Sequence, residues 1–354
     1  MAAWPRRPRL GRPASWLMGL LAALGVAASA WLAWGQQAGR PVPVERLQCP
    51  LPDQPTPALH PGMVWVPGGR FELGDVVYPE EGPVIATAVA GFWMARTEVT
   101  NDEFGAFVKA TGHLTTAERP VDPRRHPGLA LEMQRAGAVV FVMPNSPNGR
   151  SDPRQWWQYT AGANWRHPGG PGTTVNGRGG FPVVAVTVED AQAYARWKGH
   201  ALPSEAQWEW AARAGQAQTQ ARAPARAGLD APVQANTWQG LFPVMNSGDD
   251  GFVGLAPVGC YAANALGLFD MIGNVWELTA DTWRPRHRAG EAAPAAVSAS
   301  PGTAAAAQQV IKGGSYLCAP NYCMRYRAAS RQPQDVDLAA SHLGFRTILL
   351  AAAP

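Results

Sequence analysis

Cysteine is scarce in this chain, with four in 354 residues, and no Cys-x-x-Cys spacing or close histidine pair accompanies any of them. That argues against a small disulfide-stapled scaffold and gives a zinc site no evident second pair of ligands. A repeat of fixed period is also missing, which removes solenoids and propellers. Excess positive charge is absent from most of the chain. The formal net charge of +4 is accounted for by Arg6, Arg7, Arg9 and Arg12, so residues 35–354 are neutral overall. The pI near 9.0 therefore gives no support to nucleic-acid binding.

What is present is enough for a packed domain. Hydrophobic residues make up 46% of the chain, which excludes global disorder. Gly 38 and Pro 33 together form about a fifth of it, and Trp 15 is high. This composition predicts many turns anchored by buried aromatics and little regular secondary structure.

The four N-terminal arginines precede an apolar run from Trp16 to Trp34. At about 1.5 Å per residue this run makes a helix close to the ~30 Å hydrocarbon core. Residues 1–34 are thus expected to be a basic segment and signal-anchor helix. The arginines stay cytoplasmic, and the remainder is exported. The alternative is a cleaved secretory signal, because Ala28-Ser29-Ala30 resembles a signal-peptidase site. Residues 35–60 are rich in Pro and polar side chains and read as a tether. A single α+β domain of mixed structure is expected over 61–350.

Within that domain "MVWVPGGRFELGD" (63–75) reads as a strand broken by a Pro-Gly-Gly turn. Three helices carry capping boxes and glycine stops: Thr100 with Glu103 and Gly112, Thr187 with Asp190 and Gly199, and Ser204 with Gln207 and Gly215. Their Trp and Tyr residues fall at helical spacing, which assigns them to the core. Residues 216–235 and 289–309 read as a surface loop and a low-complexity stretch.

Cys318 and Cys323 lie five positions apart in "GGSYLCAPNYCMRYR" (313–327). In a strand an odd offset puts side chains on opposite faces, and in a helix five positions separate them around the axis. Pro320 and Asn321 favour a turn, and a four-residue hairpin loop would place the two Cβ atoms about 4.5–5.5 Å apart. Three uses fit such a facing pair. It can be a structural disulfide, a zinc site lacking two ligands, or a redox or soft-metal site. For the last, Lys312, Arg325 and Arg327 would favour thiolates, and paired thiolates select an ion such as Cu(I).

These stretches, with "GFWMARTEVTNDEF", "GANWRHPGGPG", "NSGDDGFVG", "NALGLFDMIGNVWELTADTW" and "SHLGFRTI" in one order, resemble the formylglycine-generating enzymes of the sulfatase-modifying family over residues 61–350. The resemblance implies a compact fold with few regular elements. It also implies an oxidoreductase that converts the cysteine of a sulfatase's Cys-x-Pro-x-Arg motif into Cα-formylglycine, using O2 and Cu(I). By the same resemblance Cys318 and Cys323 bind copper and Ser315 lies beside the oxygen pocket. Trp276, Tyr322, Arg325, Arg331 and His342 are assigned to substrate binding. Two structural Ca2+ sites are implied as well: Asn236, Thr237, Asp250 and Phe252 form one, and Asp270, Gly273, Val275 and Glu277 the other. Carboxylates mixed with carbonyls suit that hard cation.

The chain departs from the family pattern at Ala319 and Pro320, where many members have His after the first cysteine. It departs again at 334–339, and at His342, where they have Asn. These positions bear on substrate preference. Cys49 and Cys260 either pair in an oxidising compartment or leave Cys49 free. The expected protein is a membrane-anchored, extracytoplasmic enzyme, in a bacterial periplasm, acting on a sulfatase polypeptide. The competing reading is a non-catalytic binding module whose Cys318 and Cys323 form a structural disulfide. An iron-dependent sulfoxide synthase would need His-x3-His-x-Glu, which the sequence lacks.

Overall fold

A computed structural model describes residues 48–54, 59–123, 126–144, 152–215, 235–288 and 307–350, all in one compact unit, Glu45–Pro354. The Trp16–Trp34 run and residues 216–234 and 289–306 lie outside the described residues. Among those described, no helix is long and apolar enough to cross a membrane.

The strands are short, as the Gly and Pro content predicts. β1 (Met63–Val66) and β2 (Gly69–Leu73) flank the expected turn but do not form a hairpin. β2 pairs antiparallel with β3 (Ile85–Val89) in a separate ribbon. β1 pairs with β4 (Phe92–Ala95), which also takes β11 (Ile348–Leu349) on its other edge. Gly68 and Gly91 belong to the two connections, and a Cβ on Gly68 would stand 2.8 Å from the Gly91 nitrogen. That crossing sends the chain to two sheets instead of one. β5 (Gly137–Phe141) and β6 (Trp157–Ala161) form a second ribbon.

A four-stranded sheet in the order β10-β7-β8-β9 supports the site. β7 (Trp276–Thr282), β8 (Gln308–Lys312) and β9 (Arg331–Asp335) are antiparallel, and the short β10 (Leu343–Gly344) runs parallel to β7. The low-complexity reading of 289–309 ran two residues too far, because Gln308 and Gln309 already pair with β9.

All three capping boxes form. α1 (Asn101–Thr111) and α2 (Val188–Lys198) end at Gly112 and Gly199 in left-handed conformation. α3 (Glu205–Ala212) stops before its expected glycine, with Arg213 as its C-cap. Of the aromatics of α1 and α2, Phe104, Phe107 and Tyr194 are core, as predicted, and pack with Trp165 and Phe345, whereas Trp197 is 41% exposed, because it falls on the outer edge of α2. α3 is buried on several sides, and its two indole N–H groups donate to Glu277 Oε2 and the Pro67 carbonyl, each at 2.8 Å.

The last residues of the expected tether are fastened to the domain. Cys49 and Cys260 form a disulfide, and Gln54 exchanges hydrogen bonds of 2.7 Å with the Met63 carbonyl and the Gly62 N–H.

Candidate active site and cation sites

The thiol loop leaves β8 through Gly313 and Gly314, both at positive φ. A Cβ on Gly314 would stand 2.8 Å from the Arg325 carbonyl, so the missing side chain lets the returning strand cross the outgoing one. Beyond it the chain makes two turns in succession. The Cys318 N–H donates to the Ser315 carbonyl at 2.9 Å, and the Tyr322 and Cys323 N–H groups donate to the Ala319 carbonyl at 3.1 and 2.9 Å. The hairpin geometry expected from Pro320 and Asn321 is therefore incorrect. One helix-like turn from Ala319 to Cys323, preceded by a tighter one, brings the thiols together instead.

Both cysteines are free and buried, with Sγ atoms 3.5 Å apart. A disulfide needs about 2.05 Å, so the structural-disulfide reading of this pair is overturned. The pair shares one hydrogen bond asymmetrically. The shared bond raises the Cys318 pKa, with burial adding to the effect. The same bond lowers Cys323 to about 6, with further help from the backbone and guanidinium of Arg325. The two thiols titrate as one unit, and Arg325 favours the charged form at the Cys323 end.

Three cations were expected to act on these thiols, and Arg325 is the one that does. Lys312 is fully buried, with its Nζ 2.9 Å from Glu209 and 3.6 Å from Glu205. Arg327 is held by Asp75 and Glu81. Arg325 lies over the Tyr78 ring at 4.1 Å and is ion-paired to Glu80. Tyr78 and Glu80 were not anticipated. They sit about 245 positions away in a Pro-containing turn with no local signal in the sequence.

The other expected site residues divide. Trp276 is buried in the same apolar cluster as Cys318 and Cys323. Ser315 is fully buried, and its Oγ accepts from the Leu317 N–H at 3.3 Å. Tyr322 is exposed and stacks on Phe242 at 4.4 Å, within reach of Trp156. His342 lies against Trp157 at 4.6 Å, and its carbonyl accepts from the Trp276 N–H. Burial lowers the His342 pKa to about 4, and its Nδ1 has no partner among the described residues. Arg331 does not belong to a groove. It is buried, bidentate to Glu205 at 2.7 and 3.1 Å, and bonded to the Glu80 and Arg284 carbonyls. Its position in β9 turns it inward, which an arginine count along the chain could not reveal.

Around the first expected cation site, Asn236 is buried and its Oδ1 has no partner among the described residues. Its Nδ2 donates to Gly254 and Asn274 at 2.9 Å each. Asp250 accepts from the Thr237 and Phe252 N–H groups, both at 3.0 Å, and burial raises its pKa. An orphan amide oxygen, with a half-buried carboxylate bonded to the next residue's N–H, fits a hard cation.

At the second, Glu277 is bidentate to Arg346 at 2.7 Å for each contact. Asp270 accepts from the Gly259 N–H at 2.6 Å and is raised to about 6 by burial. Glu98, which the sequence did not flag, is fully buried beside them. Its pKa is raised by desolvation and then by Asp270, and its Oε2 has no partner among the described residues. Surplus buried carboxylate fits a divalent ion here too. No three His, Cys, Asp or Glu side chains among the described residues are disposed to hold a metal by themselves. A cation at either place would therefore depend on amide and carbonyl oxygens as well.

Comparison with known proteins gives a consistent result. Residues 50–351 match the family described as the sulfatase-modifying factor enzyme 1-like domain. The chain is similar to a formylglycine-generating enzyme of Mycobacterium tuberculosis, at 46% identity over 81% of this chain and 97% of that one. A mouse formylglycine-generating enzyme is 38% identical over 84% of this chain and 77% of its own length. A second mouse relative, named as an inactive Cα-formylglycine-generating enzyme 2, is 33% identical over 84% of this chain and 88% of its own.

Proposed function

The chain belongs to the family of sulfatase-modifying factor enzyme 1-like domains, and on that premise we propose that it oxidises the cysteine of a sulfatase Cys-x-Pro-x-Arg motif to Cα-formylglycine. The observation that carries the reading is the pair of buried, unbridged sulfurs 3.5 Å apart. A scaffold without the chemistry has no use for two reduced thiols in its core in an exported protein.

Cys318 and Cys323 would hold Cu(I). Two close sulfurs in an apolar setting suit a soft monovalent ion, and any thiol proton would be released as the metal enters. Bound there, Cu(I) supplies the one-electron chemistry toward O2 that no side chain provides. In the net reaction the substrate Cβ–S unit loses two electrons and two protons to dioxygen. Water then adds to the thioaldehyde and sulfide leaves.

The chain's own groups position and shield the reacting atoms. Trp276 excludes water from the sulfur pair. Ser315 presents a hydroxyl fixed by its turn. Tyr322, exposed and backed by Phe242, forms the outer wall against which the peptide lies. His342 stays neutral through the physiological range and offers Nδ1 as an acceptor. Arg325, braced by Glu80, keeps positive charge at Cys323. Ca2+ at the Asn236 and Asp270 sites would rigidify the segments that carry Trp276.

The Trp16–Trp34 run would anchor the enzyme in the membrane with this domain on the extracytoplasmic side, or act as a cleaved signal. The Cys49–Cys260 disulfide supports an oxidising compartment such as a bacterial periplasm. The test is mass spectrometry of a Cys-x-Pro-x-Arg peptide incubated with copper-loaded protein in air. Loss of sulfur with gain of an aldehyde is expected, abolished by Cys318→Ser or Cys323→Ser; an unchanged peptide mass would overturn the proposal.

A further inference from the structure

Asn274 lies between the two oxygen-rich regions and bonds to both. It is 1% exposed and has a φ of 53°, a left-handed conformation that asparagine tolerates better than most residues. Its neighbours Gly273 and Val275 are assigned to the second cation site, and the chain that carries Asn236 and Thr237 of the first runs beside them, with Asn236 bridged to Gly273. Gly273 permits that approach, because a Cβ there would stand 2.1 Å from the Asn236 carbonyl oxygen.

The Asn274 carboxamide uses all of its hydrogen-bonding capacity. Oδ1 accepts from Asn236 Nδ2 at 2.9 Å and from the Ala256 N–H at 3.0 Å. Nδ2 donates to Glu98 Oε1 at 3.1 Å and to the Ala256 carbonyl at 3.4 Å. Ala256 fixes which end of the amide is which, since its N–H needs an acceptor and its carbonyl a donor. Asn236 is oriented in turn. Its Nδ2 is spent on Asn274 and on the Gly254 carbonyl at 2.9 Å, which leaves its oxygen for a cation. On the other side Asn274 holds one oxygen of Glu98, a buried carboxyl within reach of the charge on Asp270. One rigid amide therefore orients a side chain in each region.

A cation bound in either region would fix the groups around it, and through them one end of the Asn274 amide. The next ion would meet partners already ordered, so its binding costs less ordering. We propose that Asn274 is a positioning residue that couples the two regions, so that two Ca2+ ions bind with positive cooperativity. The inference rests on the proposed binding of Ca2+ at both. A second link between the regions exists: the Gly259 N–H donates to Asp270 at 2.6 Å, and the Tyr261 hydroxyl donates to the Asp250 carbonyl at 3.2 Å. That link passes through half-buried residues and reaches the first region at a main-chain oxygen. The link through Asn274 is buried and ends on side chains, which makes it the stiffer of the two.

The test is calorimetric titration of Ca2+ into the full chain after a chelator has stripped it of metal. Wild-type protein is expected to take up two ions cooperatively. Asp250→Asn alters the first site at a residue with no hydrogen bond to Asn274 among the described residues, and should weaken binding of the remaining ion about tenfold. Asn274→Gly removes the side chain and suits the left-handed backbone, so the N–H bond to the Asn236 carbonyl and the bond from the Tyr316 N–H to the Asn274 carbonyl are kept. In that background two weaker ions should bind independently, and adding Asp250→Asn should leave the Kd of the remaining one unchanged. A residue that only stabilised the fold would lower the melting temperature and leave the coupling intact. Should Asn274→Gly not fold, Tyr261→Phe decides, because it cuts the second link: coupling retained supports Asn274, and coupling lost overturns the proposal. Two ions bound independently by the wild type, or coupling that survives Asn274→Gly, overturns it while leaving Ca2+ at both sites. Uptake of fewer than two ions by the wild type removes Ca2+ from one region or both, and the inference falls with it.

Discussion

In the 313–330 loop the two sulfurs are each other's hydrogen-bond partner at 3.5 Å, whereas around Asn236 and Glu98 buried oxygens have no partner among the described residues. The loop is closed by its own backbone turns and by apolar packing on Trp276, Leu343 and Phe345. The oxygen-rich regions instead combine buried carboxyl groups whose pKa values are pushed up, a sign that their charge is poorly compensated within the protein. The thiol loop is thus complete as a shape before any metal arrives. The other two regions leave buried oxygens unpartnered among the described residues, as the proposed cations would require. Metal at the cysteines should then affect activity, and metal at the oxygens should affect stability.

The largest expected effect is on activity. Cys318→Ser or Cys323→Ser should reduce formylglycine formation to background, beyond the about 10- to 100-fold that loss of a ligand's supporting partner costs. The melting temperature should change little, because Ser fills the same turn. A large thermal shift in either variant would show that the loop is not closed by its backbone, and the comparison would fail. Next in size is removal of the hard cation. Treatment with a calcium chelator should lower stability by about 3–4 kcal/mol per site if each is saturated at about 100- to 1,000-fold over its Kd, measured by denaturant unfolding. Asn236→Ala should make that loss smaller, and an unchanged unfolding curve after chelation would remove calcium from the account of both sites.

Much of the scaffold was legible in the sequence, and the reason is that its signals are local. Thr100, Thr187 and Ser204 with their partners three residues on form capping boxes that need no tertiary context. The thiol pair was legible as a pair, but its geometry was not. Pro320 and Asn321 permit either a hairpin or a helix-like turn, and the choice is made by Arg325 and Tyr326 crossing Gly314. Arg325 and Arg331 look alike along the chain, yet Glu80 keeps one at the loop while Glu205 draws the other into the interior. Glu98 was invisible for the same reason: its partners Asp270 and Asn274 are more than 170 positions away.

A pH series separates the edge of the thiol site from the polar interior. His342 is held neutral, with its pKa lowered from 6.5 to about 4. The unfolded chain therefore binds this proton more readily, and stability falls as pH drops from about 6.5 through 4. Glu205 is lowered to about 2, against its burial, by Lys312, His287 and Arg331, so its contribution is lost only below its ordinary 4.5. Asp281, raised to about 6 by burial, has the opposite sign and loses stability as pH rises between 3.8 and 6. His342→Gln should therefore flatten the variant's own stability curve by about 1–3 kcal/mol between pH 6.5 and 4, so that the wild-type minus variant difference carries that slope. A difference curve with no slope in that window would mean that His342 is solvated.

The smallest effect sharpens the comparison most, because it tests whether the loop needs its salt bridges. The 75–81 segment is tied to the loop by Glu80 with Arg325, and by Asp75 and Glu81 with Arg327. The Glu80 and Arg325 side chains are 20% and 22% exposed, so solvent screens the pair and Glu80→Gln should cost only about 0.2–1 kcal/mol. The two turns and the apolar packing persist in that variant, and the loop should keep its shape, which copper binding to the variant would report at unchanged stoichiometry. What should change is catalysis, modestly, because an unbraced Arg325 no longer holds its charge at Cys323. A stability loss of several kcal/mol would instead show that ion pairs across to the 75–81 segment, and not the loop's own hydrogen bonds, bring the two sulfurs together.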